Sequence, residues 1–136
     1  MARKIFINLP VKDLSKSVAF FTHLGFSFNA QFTNENATSM IVSDDIFVML
    51  LIEPFFSTFT KKAIADAKQT TEVLLCLSAE TRAEVDELVR LAIEAGGTAP
   101  NDKQDYGWMY SHAFEDLDGH IWEIAFMDET AIPQNP

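Results

Sequence analysis

The sequence predicts an α+β fold made of two similar modules within one domain. Each half reads as a strand, a capped helix, a glycine stop and further strands closed by an acidic turn, the order expected of an internal repeat. A length of 136 residues suits one compact unit. A hydrophobic fraction of 48% with 12 Phe supplies core material, and no segment approaches the roughly 18 apolar residues of a membrane span.

In the first module, Ile5 to Val11 is apolar apart from Asn8, and Pro10 suits a strand end or edge where one ladder donor is lost. Asp13 offers an N-cap to a helix of about ten residues carrying Leu14, Val18 and Phe21, with Gly25 as its stop. Phe26, Phe28 and Ala30 alternate with polar residues as a half-buried strand. Asn34-Glu35-Asn36 then provides turn chemistry before a strand from Ala37 to Val42, so the pair reads as a hairpin. Asp44-Asp45 makes another turn into Ile46 to Ile52, a strand apolar on both sides and therefore expected to be covered on both.

Residues 54–71 break the pattern with Pro54, the aromatic cluster Phe55, Phe56 and Phe59, and a short helix expected to be capped by Thr60. They read as a connector that packs aromatics over a cavity mouth. Val73 to Ser78 is the next strand, and Thr81-Arg82-Ala83-Glu84 matches a capping box ahead of a helix that ends at Gly96-Gly97. A polar loop through Asn101 and Gln104 leads to strands at Trp108 to Phe114 and His120 to Phe126. One domain over residues 1–136 thus divides into modules at about 1–53 and 72–128, the connector 54–71 and a frayed tail 129–136.

The formal charge of −10 disfavours nucleic acid and anionic membrane, which need basic patches. Small molecules and other proteins remain as partners. The apolar strand after Arg3-Lys4 is too short for a secretory leader, so a cytoplasmic location is expected. Cys76, the only cysteine, reads as a buried thiol. The charged residues of the second helix read as a solvated face with pairs such as Asp86 to Arg90. His23 suits the end of its helix, and His120 suits turn bonding. His112 alternates with Tyr110 and Phe114 on the side packed under a helix, but a register slip of one residue would make it the alternative catalytic group.

Three motifs in order, Leu9-Pro10-Val11-Lys12-Asp13-Leu14, Phe20-Phe21…Leu24-Gly25-Phe26 and Asp116-Leu117-Asp118-Gly119-His120-Ile121-Trp122-Glu123, resemble the vicinal oxygen chelate superfamily. This group includes glyoxalase I, bleomycin-resistance proteins and extradiol dioxygenases. The resemblance implies two βαβββ modules whose sheets curl as half-barrels around a cavity, and a homodimer. It places metal ligands on the first and last strands of the modules, at positions that fall here on Phe6, Met49, Leu74 and Glu123. Only Glu123 offers a hard-oxygen donor, which is too few for a divalent ion, so no cofactor is expected.

The resemblance also implies a cavity lined by Phe6, Asn8, Met49, Leu74, Cys76, Met109, Ser111 and Glu123, apolar with few polar groups, as a small organic ligand requires. Glu123 lies between Trp122 and Ile124, where an ionised carboxylate needs a partner or a wet cavity. It is either a hydrogen-bonded scaffold element or the candidate ligand-recognising and catalytic group. Two functions follow: binding or sequestration of a small organic ligand without the usual metal site, or a lyase or dioxygenase-type oxidoreductase using Glu123 or a nonstandard metal site.

Overall fold

The apolar run at the amino end forms strand β1 (Ile5–Val11) in the computed structural model, which describes residues 3–133. Asp13 caps helix α1 (Leu14–His23) by accepting from the amide of Lys16 at 3.1 Å. Gly25 follows at φ +102°, a conformation that side chains disfavour. Next come β2 (Ser27–Asn29), β3 (Ala37–Ile41) and β4 (Ile46–Ile52). β2 and β3 pair as the expected hairpin, but β2 stops one residue short of Ala30. There the Asn29 side chain accepts from the Gln31 amide at 2.9 Å and starts a 3₁₀ turn, Ala30–Phe32. A side chain that bonds local backbone displaces the ladder.

β1 lies parallel to β4, giving a four-stranded sheet in the order β1-β4-β3-β2. On one face Leu9, Val11, Thr38, Met40, Val48 and Leu50 are buried, as are Phe20 and Phe21 of α1. The expectation that β4 is covered on both sides holds only in part. Phe47 and Met49, on the other face, remain half-buried because the unit has one long helix to cover two faces.

α2 (Glu53–Phe56) starts directly after β4 with Pro54 in its first turn, and a 3₁₀ turn Ser57–Phe59 continues it. The short helix therefore precedes Thr60 instead of being capped by it, since the fixed φ of Pro54 suits a first helical turn. The Thr60 hydroxyl accepts from the Lys62 amide at 3.1 Å. Phe55 and Phe59 meet edge to face at 5.2 Å.

The chain divides into two compact units between Asp66 and Ala67, inside the connector. The second unit holds β5 (Leu74–Ala79), α3 (Arg82–Glu94), β6 (Gln104–Asp105), β7 (Met109–Glu115) and β8 (Ile121–Met127). Its sheet runs β5-β8-β7-β6 with β5 parallel to β8, repeating the first topology strand for strand. β6 falls where the sequence predicts only loop. Thr81 accepts from the Glu84 amide at 3.1 Å while the Glu84 carboxylate reaches back to the Glu80 amide at 2.8 Å, so the capping box forms. Val85, Val89 and Ala92 of α3 are buried, as are Tyr110, Phe114, Trp122 and Ile124 on the sheet face they cover.

The tail read as frayed contains a 3₁₀ turn, Glu129–Ala131, started by Asp128 accepting from the Thr130 amide at 3.1 Å; residues 134–136 lie outside the described residues. Among the described residues, no helix is long and apolar enough to cross a membrane.

The β7–β8 turn is organised by one carboxylate. Asp116 Oδ1 accepts from the amides of Asp118 and His120, each at 3.0 Å, and Oδ2 accepts from Trp122 Nε1 at 3.0 Å. Gly119 completes the turn at φ +90°, and a Cβ there would stand 2.8 Å from the backbone nitrogen of Lys68 and 2.9 Å from the carbonyl carbon of Ala67. Gly25, by contrast, has open space around it. Gly25→Ala is accordingly expected to cost about 1–2 kcal/mol from backbone strain alone. Gly119→Ala should cost about 3 kcal/mol, because the 67–68 backbone must also move. Urea unfolding of both variants checks the difference; equal losses would show that the close approach at Gly119 is energetically unimportant.

Candidate functional site

The strand registers sort the expected site residues by face. Parallel pairing sets Cys76 beside Glu123 and Leu74 beside Ile121, while antiparallel pairing sets Ala113 beside Glu123, Ser111 beside Ala125 and Met109 beside Met127. Leu74, Cys76, Met109, Ser111 and Glu123 therefore share the face of the second sheet opposite α3. In the first unit, Phe6 pairs with Phe47 and Asn8 with Met49, so Phe6, Asn8 and Met49 share the face opposite α1. Both helix-free faces are open in part: Phe6 is 56% exposed and Leu74 54%, while Leu51 and Ala125 are buried.

Glu123 is half-buried in the middle of its sheet. Among the described residues, none donates a hydrogen bond to its carboxylate or forms an ion pair with it, which corrects the scaffold reading. The Cys76 thiol, paired with it across the two strands, feels its charge. Cys76 is exposed, contrary to the buried-thiol expectation, because β5 is an edge strand and the residue points away from α3. Partial desolvation, and then the charge of Glu123, push the thiol above its ordinary value. Cys76 is therefore a protonated and poorly nucleophilic thiol at neutral pH.

The positions that correspond to metal ligands hold one carboxylate, one thioether and two hydrocarbon side chains. A divalent ion needs several oxygen or nitrogen donors, so this donor set does not fit one. Among the described residues, no three His, Cys, Asp or Glu cluster closely enough to hold a metal.

The histidines lie elsewhere. The register sets His112 beside Ile124 on the α3 side, where its Nε2 is 3.0 Å from the Asn101 carbonyl oxygen and its buried Nδ1 has no partner among the described residues. His120 contributes its backbone amide to the turn, and His23 ends α1.

Two polar centres escaped the sequence reading. Asp116 is 7% exposed, and burial pushes its carboxyl above the ordinary range despite the opposing pull of His120 and its N–H donors. An Asp two residues before Asp-Gly carries the turn-bonding signal, but nothing local announces the Trp122 bond. The other centre surrounds Tyr110, whose hydroxyl donates to Asp86 at 2.5 Å. Arg82 lies 4.9 Å from the ring centroid, and Lys103 reaches Asp86 at 3.1 Å. The expected Asp86–Arg90 pair is not made: Arg90 binds Glu87 and Glu94 on its own helix face. Asp86 turns to the sheet because Tyr110 offers a donor there.

Residues 3–43 match the sequence model of the family described as bleomycin resistance protein-like N-terminal. The whole-chain topology matches solved structures. The chain has a glyoxalase-like fold. A hypothetical protein from S. aureus is 29% identical with a TM-score of 0.78, the match covering 93% of this chain and 95% of that one. A glyoxalase-related enzyme from Fulvimarina pelagi is 21% identical at TM-score 0.78, over 93% and 88% of the two chains. A glyoxalase/bleomycin resistance protein/dioxygenase family enzyme from Burkholderia phytofirmans is 17% identical at TM-score 0.76, over 93% and 99%. No curated protein sequence matches the chain.

Two measurements follow from the electrostatics. Alkylation of Cys76 by iodoacetamide should follow a pH profile shifted to high pH, and Glu123→Gln should move that profile down and speed the reaction at neutral pH, since a negative neighbour has been removed. An unmoved profile would separate the two groups. For Asp116 the folded value is raised, so its ionised form costs stability at neutral pH. That cost disappears as pH falls through the folded midpoint toward the ordinary value of about 3.9. Asp105 is lowered, chiefly by the Arg82 hydrogen bond, so its contribution is present above the ordinary value and is lost as pH falls through the folded one. Carboxyl carbon shifts followed by NMR should titrate with Asp116 above Asp105; the reverse order contradicts the assignment.

Proposed function

We propose that the chain is a small-molecule binding protein of the glyoxalase and bleomycin-resistance type, holding an organic ligand on its helix-free sheet surface without the metal that the resemblance implies. The observation that supports this most is Glu123, a half-buried carboxylate without a donor among the described residues, on a face made mostly of apolar and small polar side chains. Such a surface suits a partly hydrophobic ligand oriented by one polar group. The poor donor set at Phe6, Met49 and Leu74 supports ligand binding over metal-assisted lyase or dioxygenase chemistry.

The same reading takes the working form as a homodimer in the cytoplasm, on the strength of the resemblance and the acidic composition. Titrating isotopically labelled protein with small aromatic fragments tests the central part. Saturable shift changes are expected at Cys76, Ser111 and Glu123, with the α3 side unaffected. Changes confined to the α3 side, or none that saturate, would contradict it.

A further inference from the structure

We propose that the ligand of the second unit is an organic cation, an ammonium or amidinium group on an apolar body, with its charge seated against the Glu123 carboxylate. This deepens the small-molecule reading and rests on it. The face contains no Lys or Arg: the strand registers give it Leu74, Cys76 and Ser78 from β5, alternate residues of β7 and β8 from Met109 and Ile121 onward, and Gln104 from β6. Its one other carboxylate, Glu115, is at the end of β7 and already accepts from the Thr98 hydroxyl at 3.1 Å.

Glu123 therefore carries an uncompensated charge in mid-sheet. A neutral ligand laid over it would strip water from the carboxylate and leave its charge unbalanced, and an anion would add repulsion. A cation that donates hydrogen bonds removes both costs and forms a charge-assisted pair. Cys76 beside it is a neutral thiol and neither competes for the cation nor repels it.

The surroundings suit the apolar remainder of such a molecule. Ala113 and Ala125 are 6% exposed and form a low floor next to Glu123, whereas Leu74 and Met127 are long, flexible and exposed, and Met109, paired with Met127, is half-buried. Methionine side chains adapt to aromatic and irregular shapes. The formal charge of −10 also draws cations toward the protein before contact.

Three probes with one apolar body separate charge from shape: 2-naphthylmethylammonium, 2-naphthylmethanol and 2-naphthoate, titrated into the full chain by calorimetry and NMR. The ammonium should bind tightest, the carboxylate weakest, and added salt should weaken the ammonium alone. Glu123→Gln should lower ammonium affinity about ten- to a hundredfold and leave the alcohol unchanged. Glu123→Asp, which keeps the charge, should retain part of the preference, and melting curves of both variants confirm that they fold. Equal binding of ammonium and alcohol, unaffected by Glu123→Gln, would overturn the cation inference while the binding face stands. Absence of saturable binding by all three would overturn both.

Discussion

Each unit has a four-stranded sheet with two faces and one long helix to cover them. Apolar burial drives α1 and α3 onto one face apiece, where Phe20, Phe21, Val85 and Val89 are almost fully removed from water. The opposite face is left with side chains that water must tolerate or another molecule must cover. Phe6 and Leu74, both more than half exposed, show how incompletely these faces are covered. The chemistry available to the protein is concentrated on those faces for a packing reason.

The side on which each residue falls depends on register, because a slip of one residue would exchange the faces. In the second unit the register is held by the β7–β8 turn. Asp116 accepts from two turn amides and from the indole of Trp122, tying the loop to the core side of β8. With Trp122 fixed inward, Glu123 points outward to the helix-free face. The carboxylate that gives the face its charge is thus placed by the carboxylate that organises the turn. The approach of the chain at Ala67 and Lys68 over Gly119 leaves no room for a side chain there.

Much of this was legible in the sequence because it depends on local signals. The bounds of β1, the cap at Asp13, the capping box at Thr81 and the face of His112 all follow from spacing along a single element. Departures arose where a contact spans distant segments or where a side chain competes with the ladder. Asn29 ends β2 early through its own hydrogen bond, and β6 exists because Gln104 and Asp105 meet the edge of β7. Asp86 pairs with Tyr110, 24 residues away, so no helix-spacing rule anticipates it. Cys76 looked buried from its apolar neighbours, but an edge strand covered on one side leaves such a residue open. For the site, alternation gave the side of Met109, Ser111 and Ala113 and the resemblance the residues expected beside them, whereas the lack of a partner for Glu123 among the described residues required the fold.

The central claim is that this helix-free surface offers a lone carboxylate to an organic ligand and not a coordination sphere to a metal. Titration of the labelled protein with Mn²⁺ or Ni²⁺, followed by paramagnetic broadening, examines it most directly. The account predicts no saturable broadening centred on Cys76 and Glu123, only weak effects spread over the acidic surface. Stoichiometric broadening at those two residues at micromolar metal would contradict it and favour a metal-dependent activity instead.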